Sequence, residues 1–173
     1  LRLPHQPDSA VLAQFHDGNY AGPVNVTSMM NPSALGKDKL TPEDKRYLSA
    51  VYDGELFEID TQVGKLLEVL KEEGGLQDTM IILTGVHGEP LGEDPTVGYK
   101  NRLSDAELRV PMVFWFPKRF IAGVRPKERV ELIDLVPTIA KVMEFERPET
   151  TQGRSLRLVL DGRRDNDAAP GYS

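Results

Sequence analysis

The strongest constraint on this chain is a capped amphipathic helix that runs straight into a block of continuous apolar residues. In Thr41-Pro42-Glu43-Asp44, the threonine can cap a helix and the proline suits its first position. The two acids sit at the positive end of the helix dipole. Behind them Leu48, Tyr52, Leu56, Ile59, Val63, Leu66 and Leu70 recur at steps of three and four, forming one face that Gly74-Gly75 closes. Gly54 and Gly64 lie inside this helix, where each costs ~1 kcal/mol relative to alanine and close packing is the natural reason to keep them. Thr79 to Thr84 then reads as a strand buried on both faces, and a strand following a long helix predicts a parallel α/β sheet.

Val110 to Phe116 predicts a second buried strand, with Pro111 near its start where a missing donor is tolerable. Val130 to Ile133 predicts a third. Asp134 is expected to cap a short helix with Pro137 in its first turn and Ile139, Val142 and Met143 facing inward. Residues 1 to 40, broken by Pro4, Pro7, Pro23 and Pro32, predict a structured surface segment of short turns. From Asp161 the chain turns polar, so the body is expected to span 1–160 and a frayed tail 161–173. A covered sheet averages about five strands. Two or three fall short of that, and the chain is expected to be part of a domain.

Composition narrows the function classes. The net charge is -6 with no basic block, which argues against a nucleic-acid partner. The chain has no cysteine, which removes disulfides, thiolate metal sites and a cysteine nucleophile from it. No apolar run approaches the ~20 residues that span a bilayer. No positively flanked apolar stretch follows Leu1, so a signal peptide is expected to be absent or already removed.

Ligands of open α/β sheets bind beyond the carboxyl ends of strands. There the chain places Gly85-Val86-His87-Gly88-Glu89-Pro90-Leu91-Gly92-Glu93, holding one of only three histidines. Lys100, within Gly98-Tyr99-Lys100-Asn101-Arg102, and His5, beside Pro4, are the other candidates. Each has a plainer reading: His87 as a hydrogen-bonding turn residue, Lys100 as a solvated lysine, His5 and His16 as surface groups. Glu89 and Glu93 could pair as carboxylates, though charge in a loop is usually solvation. Asp53 and Asp60 read as exposed helix residues. Asn25-Val26-Thr27 fits a glycosylation acceptor, which matters only in a secreted eukaryotic protein. Residue types alone give no Ser/His/Asp order and no metal spacing.

The order of segments resembles the C-terminal half of a sulfatase, in the alkaline phosphatase-like superfamily. The resemblance runs through Pro4-His5-Gln6-Pro7, Tyr52-Asp53-Gly54-Glu55, Asp60, Val63-Gly64 and Thr84-Gly85-Val86-His87-Gly88-Glu89. It continues through Lys100, Leu103, Leu108-Arg109-Val110-Pro111, Asp134-Leu135-Val136-Pro137-Thr138 and Gly153-Arg154-Ser155-Leu156. It implies a partial sulfatase-like sheet flanked by helices, a sulfate ester substrate and a periplasmic or extracellular setting. It also implies calcium, with His5 and Lys100 on the sulfate oxygens and His87 at a metal-proximal position. Fixed cations suit that chemistry because charge grows on the sulfuryl oxygens and leaving group.

Departures from the family pattern are informative. Val86 stands where the family carries an aspartate that ligates calcium, and an isopropyl group supplies none of the six to eight oxygens calcium wants. Tyr99 replaces a common histidine, and Ser104 a common aromatic. The chain contains no Cys/Ser-x-Pro-x-Arg from which a formylglycine nucleophile could be made. The leading expectation is therefore a sulfatase-lineage chain, inactive by itself, that binds calcium weakly or not at all. The alternatives are a non-catalytic binding module that has lost the metal, or a phosphate or phosphonate ester hydrolase of the same superfamily. A missing N-terminal half, or a second copy of the chain, is the expected partner.

Overall fold

Thr41 caps a helix as its sequence requires: its side chain accepts from the Asp44 amide, and Asp44 reaches back to the Thr41 amide. In the computed structural model, which describes residues 5–30, 40–92 and 103–163, this helix (α3) spans Pro42–Glu72. Ahead of it lie the short helices α1 (Ser9–Leu12) and α2 (Val26–Met30), the latter opened by Asn25, whose Oδ1 accepts from the Ser28 amide. A 3-10 turn at Leu76–Asp78 leads into β1 (Ile81–Thr84). Then come α4 (Asp105–Leu108), β2 (Met112–Trp115), a 3-10 turn at Leu132–Asp134, α5 (Leu135–Met143) and α6 (Arg157–Leu160). No helix among the described residues is long and apolar enough to cross a membrane.

The chain divides into two units. The first, residues up to Glu73 with Thr84–Pro111, is built on Val24, Met29, Leu48 and Val51, with Leu12, Tyr20, Leu40, Tyr47 and Leu91 packed against them. Gly54 earns its place here, because a Cβ on it would lie 2.8 Å from Cγ of Pro7 in the segment that docks on α3. Nothing in the structure accounts for Gly64, which faces open space. Beyond Gly54 the apolar face of α3 is largely uncovered, Leu66 being 59% exposed.

Asp44 does more than cap. Its Oδ2 accepts from the amide and hydroxyl of Thr41 at 2.8 Å each, and its Oδ1 accepts from the Tyr20 hydroxyl at 2.5 Å. Burial works to raise the Asp44 pKa, but the bonds from Tyr20 and Thr41 outweigh it and hold the carboxyl below its ordinary value. Burial and the bond to Asp44 push the Tyr20 phenol up to about 12. Folding thus favours the ionised acid and the neutral phenol. The carboxylate's contribution is present above its unfolded pKa near 3.9 and lost as pH falls through the lower folded value. The phenol's is present below its unfolded pKa near 10 and lost as pH rises through about 12. Tyr20→Phe should therefore cost about 1–3 kcal/mol on a plateau between roughly pH 4 and 10, and less on either side. Urea melts of the two proteins at pH 3, 7 and 11 check this; a pH-independent gap would mean that only packing was lost.

In the second unit, Gly74–Leu83 with Met112 onward, β1 and β2 form a two-stranded sheet, Thr84 alone belonging to the first unit. The pair is antiparallel rather than parallel. Thr84, at the end of β1, donates through Oγ1 to the carbonyl of Pro111, just before β2, at 2.8 Å. Asp78, before β1, pairs with Lys118, after β2. A continuous apolar run indicates burial, not the direction of a neighbour. Burial itself is incomplete, with Leu83 51% and Val113 52% exposed.

The expected third strand is a turn. The Asp134 carboxylate accepts from the amides of Glu131 at 3.0 Å and Arg154 at 2.9 Å, drawing the backbone out of an extended path. The helix expected after it is present as α5, but with its carboxylate committed to those amides the Asp134 side chain caps no amide of α5. α5 buries Pro137, Thr138, Ala140 and Val142 and packs on α6, the Leu156 amide donating to Thr138 Oγ1 at 2.8 Å, while Met143 faces outward. Residues 164–173 of the expected tail lie outside the described residues.

Candidate functional site

Residues 5–12 lie along α3, and the helix side chains that meet them define a buried polar centre. His5 is 1% exposed. Its Nδ1 lies 2.7 Å from Oε2 of Glu55, whose other oxygen accepts from the Gln6 amide at 2.6 Å. Its Nε2 lies 3.1 Å from Oε2 of Glu89, whose side chain is 5% exposed. Tyr52, one turn before Glu55 on α3, meets the imidazole edge-on at 5.2 Å between centroids.

Carboxylates only accept, so the ring nitrogen that serves Glu55, Nδ1, carries a proton. Burial works to lower the His5 pKa, but the nearby carboxylates of Glu89 and Glu55 outweigh it and raise the value. The same burial, with the charges of Glu89, Asp53 and Glu55, raises the phenol of Tyr52 and keeps it neutral. The two contacts on His5 are unequal. Glu55 makes a regular hydrogen bond, whereas neither His5 Nε2 nor Glu89 Oε2 has a hydrogen-bond partner despite their closeness.

Glu89 is delivered by the loop after β1. The Gly88 amide donates to the Glu107 carbonyl at 2.7 Å, and a Cβ on Gly88 would lie 1.9 Å from the Ala106 carbonyl oxygen. Only glycine lets the loop lie so close to α4. His87 directs Nδ1 at the Gly88 carbonyl, 2.8 Å away, and Val86 is 86% exposed.

The structure thus brings together two segments singled out from sequence, His5 and the loop containing His87. Lys100, Tyr99, Glu93, Asn101 and Arg102 lie outside the described residues. Glu89 is a buried partner of His5 rather than a solvated loop charge. His16, read as a surface group, is largely covered, edge-on to Tyr47 at 5.1 Å. Asp53 and Asp60 are exposed as expected. Glu55 was given no role by sequence reasoning. The signal was there in its place beside Gly54, where α3 must accept another segment at close range.

Calcium is the cofactor that the resemblance implies. At the loop position where an acid is needed, the side chain is an exposed isopropyl group. His87 engages its own loop, and the Glu89 carboxylate turns inward to His5. Among the described residues no group of three or more His, Asp or Glu is arranged to hold a metal ion. The described residues by themselves do not fit calcium.

The family model described as Sulfatase matches residues 8–145. An arylsulfatase of Clostridium perfringens is 30% identical over 80% of this chain and 27% of its own length. The multifunctional alkaline phosphatase superfamily protein PehA of Trinickia caryophylli is 36% identical over 66% of this chain and 22% of its own. The solved phosphonate monoester hydrolase of Silicibacter pomeroyi superposes with a TM-score of 0.64 at 37% identity, covering 77% of this chain and 26% of that one. The chain therefore spans about a quarter of the length of these relatives.

Proposed function

Because the chain belongs to the sulfatase family, we propose that it supplies the back portion of a sulfuric ester hydrolase, including part of the anion site, and that alone it turns over no ester. Residues 1–160 form that portion and 161–173 a polar tail. The observation that carries the reading is the contact between His5 and Glu89, which brings the His5-Gln6-Pro7 segment to the signature loop. We assign His5, buried and with its pKa raised by two carboxylates, as one cation on the sulfate oxygens and Lys100 as the second. Charge developing on those oxygens is best stabilised by donors already in place. We assign His87 to the metal side of the loop. Calcium, if held at all, would need oxygens beyond those described, since Val86 offers none. A segment carrying the nucleophile is the partner we infer, and the exposed apolar side chains of α3 are a surface it could cover.

An aryl sulfate assay with calcium tests the proposal. No release of nitrophenol from 4-nitrophenyl sulfate is expected of this chain, since it has no Cys and no Ser-x-Pro-x-Arg to convert. Clear turnover would overturn it. A phosphate or phosphonate ester is the second reading, favoured by the 36% and 37% identities to PehA and the phosphonate monoester hydrolase. Tighter binding of methylphosphonate than of sulfate to this chain would favour that reading.

A further inference from the structure

His5 has a carboxylate at each ring nitrogen, which is unusual for a residue meant to hold an anion. An imidazolium flanked by Glu55 and Glu89 is a cluster of net negative charge, and such a cluster repels an oxyanion. The two carboxylates are not equivalent. Glu55 is held at both oxygens, by the His5 ring at 2.7 Å and by the Gln6 amide at 2.6 Å, within the long helix α3. Glu89 sits on a loop, and its Oε2 lies 3.1 Å from Nε2 without the alignment of a hydrogen bond. Nε2 is therefore a buried donor whose proton is poorly used, and Glu89 Oε2 a buried acceptor poorly served.

We propose that Glu55 is the positioning residue of His5 and that Glu89 is an internal competitor, so that an oxyanion reaches Nε2 only by displacing the Glu89 carboxylate. The proposal rests on the reading of this centre as part of a sulfate-ester site. Glu55 fixes the ring plane through Nδ1 and neutralises the imidazolium. Glu89 occupies the one nitrogen left for a ligand and keeps the buried cation paired until a ligand arrives. Displacement exchanges a poorly aligned ion pair for an aligned, charge-assisted hydrogen bond to the incoming anion.

The experiment uses the 173-residue chain with ring nitrogens labelled, and follows the His5 Nε2 resonance during titration with inorganic sulfate and, separately, inorganic phosphate. Glu89→Gln and Glu89→Ala should bind at least about tenfold more tightly than the unsubstituted chain, since each removes a charge a few ångströms from the ligand. Glu55→Gln should bind more weakly, and His5→Gln should lose the response. Equal affinity in the unsubstituted chain and both Glu89 variants, tighter binding in Glu55→Gln, or an unmoved Nε2 with either anion in every variant would overturn the proposal. If the Glu89 variants tighten for phosphate and not for sulfate, the competitor role stands and the sulfate-ester reading fails.

Discussion

Gly88→Ala is expected to remove about 3 kcal/mol or more from the first unit, well beyond an ordinary surface substitution. The added Cβ would lie 1.9 Å from the Ala106 carbonyl oxygen, 3.0 Å from its carbon and 3.3 Å from the Arg109 carbonyl oxygen. All three are backbone atoms, so no change of rotamer relieves the clash. The loop must lift away, and lifting breaks the 2.7 Å bond from the Gly88 amide to the Glu107 carbonyl. It also withdraws Glu89 from His5, leaving a buried cation with one partner. Gly85→Ala is the control within the same loop. Its Cβ would meet nothing closer than 3.4 Å, so the change should stay within about 1 kcal/mol. Denaturant melts of the two variants give the comparison, and the His5 ring resonances should shift in Gly88→Ala alone. Equal melts would mean that the loop yields without strain and that its glycine is dispensable.

Local chemistry and long-range pairing were legible to different degrees. The start and end of α3 could be read because capping depends on neighbours in sequence: Thr41, Pro42 and Asp44 at one end, Gly74 at the other. The sulfatase-like α/β class was legible from the order of segments, which the family match and the solved relatives bear out. Strand direction was not, because the signal for β1 and β2 was apolar content, which is the same for parallel and antiparallel neighbours. The turn at Leu132–Asp134 was hidden by its β-like residues; the carboxylate of Asp134 overrides them by binding two amides, one of them twenty positions away. In the candidate site, resemblance pointed to His5 and to the loop of His87, but the groups touching His5 are Glu55 and Glu89. Carboxylates on a helix and in a loop look solvated until a distant histidine is placed between them. Their separation from His5 is 50 residues for Glu55, a distance over which no periodicity carries information.

That buried histidine makes the second large effect pH-dependent. His5→Gln should cost about 3 kcal/mol near pH 6, in the range for removing one partner from a buried ionic cluster. Glutamine offers a donor to only one of Glu55 and Glu89 at a time and carries no charge. The groups facing the ring are Glu55 and Tyr52 from α3 and Glu89 from the loop, and Tyr52 stays neutral because its own pKa is raised. The folded pKa of His5 lies above its ordinary value of 6.5. A raised histidine contributes stability that is fully present below the unfolded pKa and is lost as pH rises through the folded one. The gap between the unsubstituted chain and His5→Gln should therefore be widest from about pH 5 to 6.5 and should narrow steadily on the alkaline side. Urea unfolding at pH 6 and pH 9 measures both ends. If the gap is the same at both, the ring is neutral throughout and serves as packing, which would remove the fixed cation on which anion binding at this centre depends.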